Sequence, residues 1–127
     1  MGMGRRALMV IAIVFLISSC STSEAPGALS PGAVEGRAIA TTSGCNSCHG
    51  DDFGGGVGPT WIGLVGSEVP LIEGGMIVAD RDYVVESIVD PNAKRRLGST
   101  LQMPLVSLSD DEVQRIADYI VELGATK

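Results

Sequence analysis

At Cys45-Asn46-Ser47-Cys48-His49 the chain gathers two of its three cysteines and its only histidine into five consecutive residues. A stretch this short brings two thiols and an imidazole within reach of one object, and the rest of the fold has to be built around what they hold. Composition sharpens the constraint. One Trp, two Tyr and two Phe stand against 17 glycines in 127 residues, so the large apolar side chains that usually fill a core are scarce. The length suits one domain of about 100–150 residues. A bound group is therefore expected to supply part of the core.

Three chemistries compete for such a motif. Structural zinc needs four ligands, usually two separated pairs of Cys or His, and no second pair exists here. A thioredoxin-like dithiol expects a surrounding βαβ pattern, which is also missing. The remaining reading is C-x-x-C-H as a c-type haem attachment site. Cys45 and Cys48 then bond covalently to the porphyrin, and His49 ligates the iron.

The N-terminus carries Arg5 and Arg6, then an apolar run from Ala7 to Ile17, then Ser18-Ser19-Cys20. A charged start followed by a short apolar stretch is the pattern of a secretory signal. The run is too short for a plain membrane span, which needs about 20 apolar residues. Ile17-Ser18-Ser19-Cys20 resembles a bacterial lipobox, which implies removal of residues 1–19 and lipidation of Cys20. The alternative is cleavage nearby that leaves Cys20 as a free thiol, a liability outside the cytoplasm. Loss of Arg5 and Arg6 makes a chain of formal charge -6 more acidic still. That balance argues against nucleic acid as a partner and for basic protein surfaces.

Residues 20–32 are rich in Ser, Thr, Pro and Gly and read as a lipidated N-terminus followed by a flexible tether. The folded domain is expected over residues 33–127. A short helix fits Ala33 to Thr42, stopping at Gly44, while the glycines between Asp51 and Gly66 suit a loop lying against a flat object. Val69, Leu71, Met76 and Val78 flank Glu73-Gly74-Gly75, the pattern of a small hairpin. Asp80 is placed to cap a helix over Arg81 to Val89, with Tyr83, Val84 and Ile88 inward and Pro91 as its stop. Ser109-Asp110-Asp111-Glu112 is a capping box, with Leu108 and Val113 as a hydrophobic staple. The helix that follows presents Val113, Ile116, Ala117, Ile120 and Leu123 at helical spacing and is expected to end at Gly124.

The sixth iron ligand has to come from outside the motif. Met1, Met3 and Met9 leave with the signal, which leaves Met76 and Met103. Met76 lies in the expected hairpin, where packing is the ordinary role. Met103 precedes Pro104 in an extended stretch far enough along the chain to reach the other face of the haem, and is the favoured ligand.

With these residues assembled, the stretch from about Gly36 to Leu123 resembles the class I monohaem cytochromes c. The resemblance rests on the Cys45–His49 motif, Gly58-Pro59, Met103-Pro104 and a terminal helix carrying Tyr119. More narrowly, GGGVGPTWIGLVGSEVPL, VADRDYVVESIVDPNAK and MPLVSLSDDEV are similar to the haem c domain appended to subunit II of some haem-copper oxidases. It implies an all-α fold, three to four helices wrapped around one covalent haem c, with the hairpin as a small β insertion. It further implies that the Pro59 carbonyl accepts a hydrogen bond from His49, that Trp61 packs beside a haem propionate, and that the first and last helices cross near Gly36 and Tyr119. One departure is visible: the aromatic residue usual one turn before the first cysteine is replaced by Ile39 or Ala40.

A histidine and a methionine together saturate the iron, so the expected function is single-electron transfer, not catalysis. The resemblance points to a lipid-anchored carrier on the extracytoplasmic face of a bacterial membrane, receiving electrons from a quinol-oxidising complex and delivering them to a terminal oxidase. Two alternatives stay open: a permanent subunit of such a complex, and a gas sensor or enzyme in which Met103 dissociates. Lys94, Arg95 and Arg96 are the one dense basic cluster, readable as a docking site for an acidic partner or as solvated charge beyond a helix C-terminus.

Overall fold

The computed structural model describes residues 27–125. The expected signal, Cys20 and most of the tether lie outside the described residues. Four helices and one two-stranded antiparallel sheet follow in the order α1 (Pro31–Thr42), α2 (Asn46–His49), β1 (Glu68–Pro70), β2 (Met76–Val78), α3 (Arg81–Val89) and α4 (Asp110–Ala125).

Helix α1 starts two residues before the expected Ala33. Ser30 is its N-cap, accepting from the Ala33 N–H at 3.2 Å, and Pro31 occupies the first turn, where its missing N–H costs nothing. The Ser30 N–H also donates to the Glu122 carboxylate at 2.8 Å, so the end of the stretch read as tether is tied to α4. Ala33, Gly36 and Ala40 are buried and form one small-residue stripe that lets α1 lie close on α4. The contact is tightest at Gly36, where a Cβ would meet the Arg115 carbonyl oxygen. The crossing thus falls one turn before the expected Tyr119.

The capping box at the start of α4 forms as the sequence predicts. The Ser109 N–H donates to Glu112 at 2.8 Å, and the Glu112 N–H donates back to the Ser109 hydroxyl at 3.4 Å. Val113, Ile116, Ala117, Tyr119 and Ile120 are buried, with Leu108 and Leu123 packed at the margin. The helix does not stop at Gly124 but continues to Ala125. Gly124 instead lies against Val65, whose Cβ is 3.4 Å from the position of an added Cβ.

Asp80 caps α3 by accepting from the Tyr83 N–H at 2.8 Å. Arg81 anchors the same end to α4 through an ion pair with Asp118 at 2.7 Å and a hydrogen bond to Gln114. Val84 and Ile88 are buried, and the helix ends just before Pro91.

The hairpin pairs Glu68 with Val78, Val69 with Ile77 and Pro70 with Met76, and its turn uses Gly74 and Gly75 at φ of 91° and 87°. Both glycines are in the conformation that side chains resist. The base of the hairpin acquires a third partner. Leu71 bridges Arg96, the Ile72 N–H donates to the Arg95 carbonyl at 2.9 Å, and the Leu97 N–H donates to the Pro70 carbonyl at 2.8 Å. This seam fastens residues 95–97 to the rest of the molecule. Met76, expected to pack, is instead 58 % exposed, because alternation along the three-residue strand turns only its middle residue, the half-buried Ile77, inward.

Candidate haem site

Helix α1 ends at Thr42 with Ser43 as its C-cap, and Gly44 at φ 80° redirects the chain. Cys45 stays attached to the helix end, its N–H donating to the Ala40 carbonyl at 3.0 Å. From there the motif makes a single turn, the His49 N–H donating to the Cys45 carbonyl at 3.0 Å. One turn is enough to set both thiols and the imidazole on one short segment.

His49 is buried, with 7 % of its surface exposed. Its Nδ1 lies 2.8 Å from the Pro59 carbonyl oxygen. A carbonyl only accepts, so Nδ1 carries the proton and Nε2 keeps its lone pair. Burial lowers the imidazole pKa, and the Pro59 contact offsets part of that. The ring is thus held neutral, in one tautomer, with Nε2 available to a metal. Burial likewise raises the Cys45 thiol, the motif's own backbone hydrogen bond opposes this, and the neighbouring Cys48 adds to the rise.

The glycine loop after the motif serves the motif itself. Gly58 lies so close that a Cβ would come within 3.1 Å of His49 Nδ1 and 3.2 Å of the Cys48 carbonyl. A Cβ on Gly56 would be 2.8 Å from the same carbonyl. The Gly58 N–H donates to that oxygen at 2.8 Å. The flat object expected against these glycines is thus, at Gly56 and Gly58, the Cys48–His49 turn.

Behind the imidazole stands an aromatic stack. Trp61 lies 4.9 Å from His49, ring centroid to centroid, and stacks on Phe53 at 4.3 Å with 12° between planes. Phe53 in turn meets Tyr119 edge-on at 5.4 Å. Phe53 is fully buried and enters this stack from the loop with its own backbone at φ 60°. Its only sequence signal is a lone aromatic among glycines.

Cys48, His49, Trp61, Tyr83, Ile88 and Met103 share the lining of one cleft that encloses about 1100 Å³, its open mouth included. Met103 is half-buried in this wall, whereas Met76 is not part of it. Lys94, Arg95 and Arg96 also line the cleft. Lys94 is ion-paired with Glu86, which raises its pKa. Among the described residues no group of three or more His, Cys, Asp or Glu could hold a metal ion. An imidazole with a free Nε2, a thioether and a broad apolar wall fit a haem instead.

A family model for cytochrome c matches residues 33–124. The chain belongs to the cytochrome c family. No curated protein matches the sequence. This cytochrome c is an electron-transfer haem protein, and its cofactor is covalently attached haem c, for which Cys45, Cys48 and His49 form the attachment motif. No helix among the described residues is long and apolar enough to cross a membrane.

Proposed function

We propose that this cytochrome c is a lipid-anchored carrier of single electrons on the extracytoplasmic face of a bacterial membrane, taking them from a quinol-oxidising complex and delivering them to a terminal oxidase. Cys45 and Cys48 would hold the haem, and His49 and Met103 would ligate its iron. The observation that carries this reading is that His49, with Nε2 free, and Met103 line the same cleft.

The haem supplies the one-electron chemistry. The chain's own residues set the conditions. The Pro59 carbonyl orients His49 and strengthens it as a donor. A thioether at Met103 favours ferrous iron and so a high reduction potential. Were His49 and Met103 both to ligate the iron, a small substrate would have no open position to bind, which favours electron transfer over catalysis. Trp61, packed against His49, shields that side of the site from water.

The membrane attachment rests on the N-terminal sequence: cleavage after residue 19, lipidation of Cys20 and a tether from there to the Ser30 cap. The test is a visible spectrum of the purified mature protein with mass spectrometry of its N-terminus. Pigment that survives acid-acetone extraction, a low-spin ferric spectrum with the weak red band of thioether ligation, and a diacylated Cys20 are expected. Pigment stripped by the solvent would overturn the haem assignment, and an unmodified Cys20 would overturn the anchor. Elution of the detergent-extracted protein as part of a larger assembly would make it a fixed subunit, not a carrier.

A further inference from the structure

The basic run Lys94-Arg95-Arg96 looks uniform in sequence and is not uniform in the fold. Lys94 is neutralised by Glu86. Elsewhere Arg81 is paired with Asp118, and Arg115 faces Glu35 and Asp111 at 3.6 Å and 3.7 Å. Arg95 and Arg96 are different. Both are half-buried, both line the haem cleft, and among the described residues neither guanidinium has an ion pair or a hydrogen bond. Carboxylates are abundant in a chain of formal charge -6, yet among the described residues none is ion-paired with either arginine. A guanidinium offers five donors in a rigid fork, and burying part of it unpaired carries a desolvation cost.

We infer that Arg95 and Arg96 are the counter-charges for the two propionate carboxylates of the haem, not a docking surface for a redox partner. The inference rests on the haem reading above. Two unmatched forks and two carboxylates are complementary in number, charge and shape, since guanidinium and carboxylate pair through two parallel hydrogen bonds. The backbone supports the same role. The hairpin seam holds the Arg95 carbonyl at 2.9 Å from the Ile72 nitrogen and bridges Arg96 to Leu71, and the Ser99 N–H donates to the Arg96 carbonyl at 3.2 Å. A surface loop that only had to present charge to a partner needs no such fastening.

Fixed cations beside the haem have two consequences. They favour the ferrous state, which carries one positive charge less, and they hold the propionates ionised. The other ionisable groups lining the cleft are Cys48, His49, Tyr83 and Lys94. The first two are committed to the haem, and Lys94 is ion-paired with Glu86.

The test is the midpoint potential of the haem-loaded protein followed against pH. For the native chain, a curve with no propionate step between roughly pH 5 and 8 is expected, because paired carboxylates ionise below their ordinary range near pH 4. In Arg95→Gln, Arg96→Gln and the double variant, the potential should fall and a step should move up in pH by about one unit or more. Lys94→Gln should shift the curve less than either. A propionate step near neutrality in the native protein would overturn the inference without any variant. So would Gln variants that load haem, keep the native curve, and lose the ionic-strength dependence of electron transfer to an acidic partner; that result would assign the arginines to docking. A native protein without covalent haem would instead remove the parent reading, and the spectrum distinguishes the two failures.

Discussion

Gly36 in α1 faces Arg115 in α4 so closely that a Cβ on Gly36 would lie 1.9 Å from the Arg115 carbonyl oxygen and 3.0 Å from the Ile116 nitrogen. Both are backbone atoms inside a helix, so neither can turn aside as a side chain would. Gly36→Ala is therefore expected to cost about 3 kcal/mol or more, the upper end of the overpacking range, by forcing the two helices apart. Denaturant unfolding of the haem-loaded protein measures it. A loss under about 1 kcal/mol would show that α1 can slide along α4.

The aromatic stack behind His49 gives a second prediction. Phe53 is fully buried between Trp61 and the edge of Tyr119, so Phe53→Ala should destabilise the protein by about 3–5 kcal/mol. Phe53→Leu should cost less because it retains most of the volume. Burial raises the Tyr119 pKa, the nearby Arg37 charge opposes that rise, and Asp52 adds to it. Opening the stack with Phe53→Ala should relieve that burial and let Tyr119 ionise at lower pH, measured by ultraviolet titration. An unmoved phenol titration would place its environment elsewhere.

Exposure separates Met76 from Met103, and ligation should follow. Met103→Ala should abolish the red charge-transfer band and leave the iron open to added imidazole. Met103→His should keep the iron six-coordinate and lower the midpoint potential, as bis-histidine ligation does relative to histidine–methionine. Met76→Leu should leave spectrum and potential unchanged, since Met76 lies outside the cleft. Loss of the band in Met76→Leu would reverse the assignment.

The capping box of α4 makes stability depend on pH in one direction. Glu112 accepts from the Ser109 N–H and hydroxyl, and these hydrogen bonds hold its pKa below the ordinary value. A carboxylate whose folded pKa is lowered contributes stability that is full above its unfolded pKa, roughly 4.3, and lost as pH falls through the folded value. Glu112→Gln should therefore be less stable than the native chain at neutral pH, and the gap should close in acid. Thermal unfolding of both proteins across that range checks it; a gap that persists at the acid end would mean the carboxylate charge is not what Ser109 holds.

These outcomes track what could be read in the chain before its fold was known. The haem motif, the α4 capping box and the hairpin turn are local signals, each complete within a few residues, and the structure has the capping box and the hairpin where the sequence predicts them. The early start of α1 was missed because Ser30 gains part of its value from Glu122, 92 positions away. Phe53 was missed because a non-glycine at positive φ has no propensity signature, and its partners Trp61 and Tyr119 converge on it only in three dimensions. The basic run was read as one feature because adjacency in sequence does not reveal which cations have found carboxylates.

The seam between the hairpin and residues 95–97 separates what is free to vary in this molecule from what is not. Its hydrogen bonds lie at the base of the hairpin, on Pro70, Leu71 and Ile72, while Glu73-Gly74-Gly75 at the tip is exposed. A longer or tagged tip leaves the cleft wall intact, which makes it a natural point for a fluorophore, an affinity handle or a tether to an electrode. A proline at position 72, by contrast, removes a rung and slackens the segment that leads to Met103.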